Sequence, residues 1–447
     1  MDKEVRMIKL QNSYYVALIF GLALFLIGCQ DAEDVGDDDW VEDVSSPTET
    51  EEDTELILRH AIESEEEINI LRDAIENVES NINATITMNP QGAELYHAIL
   101  EEEIEEGGFP HIIEVIMAAD GPFIKENREH FLDLTDYLEE IGLKDSFYSL
   151  DGFTIDGRIY GLPVRGVSYH LFYNKELVEE LGGVPATWDD LVTLMKEASQ
   201  AGYNPLMMDA QGYRYLDLFE GLLPLTVSEE KLNELINGEA SWTDEEFIRL
   251  FESIEEITQL EIPVIETESE GDPTQIIESF LTGDSVFIYT NHSVEELQEG
   301  YPQMDGNIGV MSIPSVAGFN SDSSSFIHGH FMDGFAFSAD VTTEEEEMIY
   351  EFIEAFWTEE VISNYSVEFG YLPSMRMDLK STNELLQDIT NLNNEATRVY
   401  PSISTFFPYD YEREILLTLQ GVATGNKSAN ESVERLQHYH ENYEETE

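Results

Sequence analysis

Basic residues are scarce in this 447-residue chain: 21 Lys and Arg stand against 94 Asp and Glu, a net charge of −73. A chain so poor in positive charge is repelled by nucleic acid and by anionic lipid, which are both bound through basic patches. Cysteine occurs once, at Cys29. That excludes a disulfide framework, a cysteine zinc cluster and a Cys–His nucleophile. The apolar run from Tyr15 to Ile27 has about 13 residues, too few to span a bilayer, which takes about 20. Also missing are a Walker loop, a Gly-x-Gly-x-x-Gly turn, a Gly-x-Ser-x-Gly elbow and a His-Glu-x-x-His pair. Carboxylates are too abundant for pairs of them to point to acid–base catalysis.

What is present begins with a short targeting pattern. Lys3, Arg6 and Lys9 precede the apolar run, and Leu26-Ile27-Gly28-Cys29 closes it, as in a signal peptide. The last four residues resemble the bacterial lipobox. The resemblance implies that residues 1–28 are removed and that Cys29 carries lipid, holding the protein on the outer face of the cell membrane. From Asp31 to Glu55 the chain is acidic, with few apolar residues, and 29–55 is expected to be a solvated tether. The rest, with 42% hydrophobic and 11% aromatic residues overall, has ample material for cores. Its length suggests two or three domains at about 150 residues each. Acidic residues are spread along the whole chain, so the charge is a surface property. It fits an exposed protein adapted to high salt, alkaline pH or both.

Leu56-Ile57-Leu58 opens a strand reaching Ile62. Ile68, Leu71, Ile75 and Val78 then recur at helical spacing, with Ser64 as cap and Glu67 three residues on. Residues 82–88 alternate as a strand does, residues 93–106 form a helix closed by Gly107-Gly108, and 111–117 is an apolar strand. Strand and helix in alternation predict a parallel sheet with crossover helices. Asp151-Gly152 and Asp156-Gly157 read as hairpin turns around Phe153-Thr154-Ile155. Residues 169–173, 286–289, 308–313 and 335–338 are expected to be extended. Thr187 should cap a helix carrying Trp188, Leu191 and Met195, with Trp188 packed in the core. Helices should fill most of 213–260, 343–357, 411–422 and 432–439.

Three motifs follow one another across 156–191: Asp156-Gly157-Arg158-Ile159-Tyr160-Gly161-Leu162-Pro163, then Leu171-Phe172-Tyr173-Asn174-Lys175-Glu176-Leu177, then Val184-Pro185-Ala186-Thr187-Trp188-Asp189-Asp190-Leu191. In this order they resemble the family 1 extracellular solute-binding proteins of ABC importers, which include the maltodextrin-binding proteins. Weaker echoes are Phe109–Ile113, where His111 replaces the usual Asp, then Phe131–Thr135, Phe280–Phe287, Gly370–Pro373, Leu419–Gly421 and Ser432–Leu436. The resemblance covers about 56–440. It departs in two places. His292 stands where the family often has Trp, and Phe331-Met332 replaces a Gly-Gly pair before Asp333.

The resemblance implies a two-lobed α/β fold of the periplasmic-binding-protein type (type II), with mixed sheets flanked by helices and a hinge between lobes. One lobe would be 56–166 with 336–378 and the other 167–335 with 379–447. The chain would cross near Arg165–Tyr169, Phe331–Ala336 and Met377–Ser381. Such a protein is a monomer without a cofactor and without covalent chemistry. It binds a small-molecule solute and hands it to permease subunits of an ABC importer. A mono- or oligosaccharide is the leading solute, with a polyamine as the alternative; a carbohydrate sensor or a glycosidase would be a different class.

Ligand is expected to meet loops at the carboxyl ends of strands. In the first lobe these are Ser64, Glu65 and Asp120, and at the first crossing Ser168 and Tyr169. In the second they are Tyr213, Tyr289, Asn291, His292, His328, Phe407 and Tyr409. Aromatic rings stack on apolar sugar faces while carboxylates and amides bind hydroxyls. Lys125, Arg165 and Arg214 are the basic residues placed near the cleft, too few to favour a phosphate ester. His328 and His330 would share a face of a strand. With His292 they could form a metal site, although polar contacts in a cleft or loop are the simpler reading.

Overall fold

The computed structural model describes residues 54–443 apart from 210–212, 261–263, 266–276, 279, 292–296, 298–300, 302–303, 318, 320–325, 370, 401 and 404–405. The chain opens with β1 (Thr54–His60), α1 (Glu65–Glu79), β2 (Ala84–Pro90), α2 (Tyr96–Glu106), β3 (Ile112–Ile116) and α3 (Met117–Glu126). Helix α1 starts where Ser64 takes an extended backbone and its hydroxyl accepts from the Glu67 N–H. Its buried residues, Leu71, Ala74, Ile75 and Val78, keep the helical period. Both β2 and β3 pair with β1 in parallel, which requires the crossover helices the alternation predicts.

Helix α4 (Thr135–Glu140) precedes a small hairpin of β4 (Thr154–Ile155) and β5 (Arg158–Ile159). That hairpin turns at Asp156-Gly157, where both residues have positive φ, 50° and 80°. Asp151-Gly152, expected to turn as well, instead lies in a 3-10 turn, Asp151–Phe153. The Ser149 hydroxyl takes the Asp151 N–H and Phe153 is fully buried, so the chain coils inward there instead of reversing.

The next strand, β6 (Leu162–Asn174), is far longer than the extended segment expected from Tyr169. Helices α5 (Lys175–Glu180) and α6 (Trp188–Ala201) follow, then β7 (Asn204–Leu206), β8 (Met208–Asp209), α7 (Tyr213–Thr226), α8 (Glu229–Ile236) and α9 (Glu245–Thr258). A complete capping box, Thr187 with Asp190, starts α6. Strands β9 (Val264–Ile265), β10 (Ser285–Thr290), β11 (Ile308–Met311) and β12 (Phe326–Phe337) lead to α10 (Thr343–Phe356) and α11 (Glu359–Phe369). The chain ends with β13 (Leu372–Pro373), α12 (Glu384–Glu395), β14 (Arg398–Tyr400), α13 (Tyr409–Ala423) and α14 (Ala429–Glu441).

The main sheet runs β2-β1-β3-β12-β6-β10-β7. Its two halves are joined by the long antiparallel strands β6 and β12. The late part of β12 pairs with β3, and its His328–His330 stretch faces Tyr169–Val167 of β6. Beyond that stretch β6 continues alone, pairing with β10 and β11 through His170–Asn174. The register of β12 slips between His330 and Gly334. This is where Phe331-Met332 replaces the expected glycine pair. The Phe331 ring stacks on Tyr148 at 5.3 Å and fills the space over Gly166, where any Cβ would meet it at 2.1 Å.

One core packs beneath α1, α10 and α11 and continues along the sheet to Phe172, Ile288 and Ile308, joined by Leu385, Leu386 and Ile389 of α12. The other packs among α6, α7, α9, α13 and α14 around Trp188, Trp242 and Phe251. Each such side chain contributes about 1.5–3 kcal/mol by leaving water. Trp357 ties the first core to the start of β6, donating from Nε1 to the Pro163 carbonyl at 2.7 Å. Among the described residues no helix is long and apolar enough to cross a membrane.

Candidate functional site

Alternation along β6 sends Arg165, Val167 and Tyr169 to one face, all half-buried, and Gly166, Ser168 and His170 to the other, all buried. The register adds His328 beside Tyr169 and His330 beside Val167 on the first face. The opposite face is closed by α12. There the Ser168 hydroxyl contacts His170 Nε2 at 2.8 Å and accepts from the Asn393 amide at 3.2 Å. Burial holds His170 down to about 4, so it is neutral. Ser168, expected to face ligand, thus lies on the covered side of β6.

On the open face α7 forms one wall. Glu220 Oε2 lies 3.1 Å from His328 Nε2. The other Glu220 oxygen accepts from the Ser402 hydroxyl at 2.8 Å and the Ile403 N–H at 2.6 Å. The Tyr289 hydroxyl is 3.2 Å from His328 Nδ1, and the Tyr169 ring stacks on the imidazole at 4.2 Å. Burial alone would raise the Glu220 carboxyl, but His328, Ile403 and Ser402 outweigh it and hold the group below its usual range. Tyr169 is pushed far up by burial, with Asp217 and Glu220 adding to it, and its hydroxyl bonds to Asp217. Asp217 in turn meets Arg214 at 2.9 Å.

A second group of residues belongs to the first half of the sheet. Arg165 of β6 reaches Asp333 at 3.4 Å and Glu67 of α1 at 3.8 Å, with its guanidinium over the Tyr371 ring. Beyond it, at the carboxyl ends of β1 and β3, lies a concavity of about 370 Å³ whose lining includes Glu63, Glu67, Tyr96, His97, Glu114 and Asp120. Asp120 is fixed there by His97 Nε2 and the Ile116 N–H, each at 2.5 Å. Glu114 accepts from the Ala61 N–H at 2.8 Å. Burial, reinforced by Asp333 and Glu67, nevertheless pushes its carboxyl up to about 7.

Between Arg165 and Tyr169, on the same face of β6 and β12, lie Val167 and His330. The Nδ1 atom of His330 is fully covered and has no hydrogen-bond partner among the described residues. Its pKa is lowered, chiefly by burial.

The fold therefore brings Asp120 and Tyr169 to the two walls and sets Tyr289 and His328, both buried, behind Tyr169, but it does not gather every expected residue. Ser64 is exposed and its hydroxyl caps α1, and Glu65 starts that helix outside the concavity. Phe407 is buried in the second core, stacked on Tyr411 at 4.5 Å. Asn291 is half-buried just past β10. Tyr213 and Tyr409 begin α7 and α13, and their side chains lie outside the described residues, as do His292 and Cys29. Sequence reasoning missed Glu63, Glu67, Glu114, Tyr96 and His97. Glu63 and Glu67 flank the loop it did select after β1, whereas Glu114 sits within an apolar strand that nothing local marks. Among the described residues no group of three or more His, Cys, Asp or Glu is placed to hold a metal ion. Both ring nitrogens of His328 are already engaged.

The family model for bacterial extracellular solute-binding proteins matches residues 73–384. The chain belongs to that family. An ABC transporter extracellular-binding protein of Pyrococcus horikoshii is 31% identical over 108 residues, a match spanning 23% of this chain and only 26% of that relative. A probable secreted solute-binding lipoprotein from Streptomyces coelicolor superposes with a TM-score of 0.70 at 16% identity, over 87% of this chain and 99% of that one. A family 1 extracellular solute-binding protein from Bifidobacterium longum subsp. infantis gives 0.64 at 18% identity, over 86% and 98%. A chitin oligosaccharide binding protein gives 0.61 at 21% identity, over 87% and 98%. At these identities the likeness is one of fold: a two-lobed α/β solute-binding architecture.

Proposed function

We propose that the chain captures a mono- or oligosaccharide in the cleft over β6 and β12 and presents it to the permease of an ABC importer. The observation that carries this reading is the half-buried Tyr169 ring, backed by the buried His328 and Tyr289, on a sheet whose other half carries a concavity lined by carboxylates and Tyr96. Rings offer a flat apolar face to a sugar, and carboxylates accept from its hydroxyls. The carbohydrate named for the chitin oligosaccharide binding protein agrees with this chemistry. On this reading the lobes are 56–166 with 336–378 and 167–335 with 379–447, and they close on the solute by hinge motion of β6 and β12. Lipid on Cys29 and the tether 29–55 keep the lobes beside the importer. Replacing Cys29 with Ser should release or strand the protein without changing affinity.

A second reading is favoured by one feature. Glu63, Glu67, Glu114 and Asp120 in a single concavity would also suit a polyamine. Calorimetry in high salt against mono- and oligosaccharides and against spermidine and putrescine separates the two. Saturable heat with a sugar is expected; heat with the polyamines alone rejects the sugar. Tryptophan emission is a poor substitute, because Trp188, Trp242 and Trp357 are all at most 2% exposed. Turnover of a chromogenic glycoside would reject a purely binding role.

A further inference from the structure

We infer that His330 contacts the bound solute, donating a hydrogen bond from Nε2 to an oxygen of the sugar on the floor of the cleft. This rests on the sugar-binding reading and adds to it a statement about what the solute must present at that point.

His330 is placed by β12, opposite Val167 of β6, between the wall of Tyr169 and His328 and the wall of Arg165, Asp333 and Glu67. The residue is half-buried, and the covered part includes Nδ1, which has no partner among the described residues. A proton on Nδ1 would be a buried donor without an acceptor, which costs about 1–3 kcal/mol. A bare Nδ1 lone pair is the cheaper state, so the ring proton belongs on Nε2. An imidazolium would again place a proton on Nδ1. The titratable groups whose charge acts on the ring are Asp333 and His328 on its own strand and Glu220 from α7. Burial lowers its pKa in spite of the two carboxylates, which agrees with a neutral ring.

A neutral ring with Nε2–H turned to the cleft is a donor and nothing else. It suits a hydroxyl, ring or acetamido oxygen. It is unsuited to an ammonium group, which has only donors to offer. Val167 beside it supplies an apolar neighbour, and the Tyr169 ring lies one residue pair further along the same face. The floor and one wall therefore share the demands of a sugar: a donor beneath and an aromatic face beside.

Two measurements test this. In the solute-free protein, nitrogen-15 NMR of the histidine rings, with the His330 signals identified by their loss in His330→Gln, should show a neutral ring protonated on Nε2. A ring protonated on Nδ1, or on both nitrogens at neutral pH, overturns the inference whether or not a solute is known. In calorimetry with chitotriose, maltotriose, xylotriose and spermidine, the bound sugar should lose about tenfold in affinity to His330→Phe and at most about threefold to His330→Gln, whose amide keeps a donor. Both variants should melt close to the unsubstituted protein. Sugar affinity unchanged in His330→Phe overturns the inference and leaves the sugar-binding reading intact. Binding of spermidine and of no sugar overturns both.

Discussion

The Tyr169 ring lies 4.2 Å from the His328 ring at an interplanar angle of 13°, joining β6 and β12 face to face. Each partner is held a second time: Tyr169 through its hydroxyl on Asp217, and His328 through Glu220 and Tyr289. An aromatic surface fixed from its edge and from its back loses little freedom when a solute settles against it. The same contacts bind α7 and Ser402–Ile403 to β12, so this aromatic cluster is tied to the long strand itself.

Replacing His328 with Ala should cost about 3–5 kcal/mol of stability, because it takes a partner from a carboxylate whose side chain is only 7% exposed. Glu220 is held below its unfolded value of about 4.5. Its contribution is therefore present above that value and lost as pH falls through the lower folded value. Urea unfolding at pH 7 and at progressively lower pH should show the gap between the two proteins narrowing in acid. A gap of constant size would mean that Glu220 does not depend on His328 for its charge.

Glu114 has the opposite sign. Its folded value of about 7 lies above the ordinary 4.5, so protonation favours the folded state at low pH and that advantage is lost as pH rises to 7. Above pH 7 a buried carboxylate must stay ionised near Glu67 and Asp333. Glu114→Gln keeps an oxygen for the Ala61 N–H and should stabilise the protein by about 1–3 kcal/mol at pH 9, with little change at pH 5. Melting temperatures at the two pH values give the comparison, and equal shifts at both would reject it.

What the sequence disclosed was local. The Ser64 cap with Glu67, the Thr187–Asp190 box, the apolar period of α1 and the parallel β1–β2–β3 unit all follow from neighbours a few residues apart. The long reach of β6 was hidden by Pro163 and Gly166, residues that locally argue against a strand. Only the pairing with β12 and β13 accounts for them. Phe407 looked like a cleft aromatic because it lies in a run of rings, yet Trp242 and Tyr411 claim it for the core. Glu220 carried no signal at all. Its partners His328, Ser402 and Ile403 are distant in sequence, and a chain with 94 acidic residues gives no reason to select one.

Gly334 marks where that long-range pairing is tightest. A Cβ there would sit 2.0 Å from the Leu162 carbonyl oxygen, a backbone atom of β6 that cannot rotate away. Gly334→Ala should cost more than about 2 kcal/mol, the scale of overpacking in a rigid site. It should also raise hydrogen exchange at the β6 and β12 amides around Leu162 and Phe335. A variant as stable as the parent would mean that the strands can separate at little cost.

The surplus of acidic residues gives a prediction of its own. With a net charge of −73, self-repulsion opposes compaction, and screening should relieve it. Raising NaCl from about 0.1 to 1 M shortens the Debye length from about 10 to 3 Å, so the melting temperature should climb over that range. Salts also strengthen apolar burial, but that effect follows the identity of the anion. A rise caused by screening should instead be alike for chloride and perchlorate over the lower part of the range. It should also be smaller at pH 4.5, where many surface carboxylates are protonated, than at pH 8. A melting temperature indifferent to salt at pH 8 would show that the folded surface spaces its charges widely enough to need no screening.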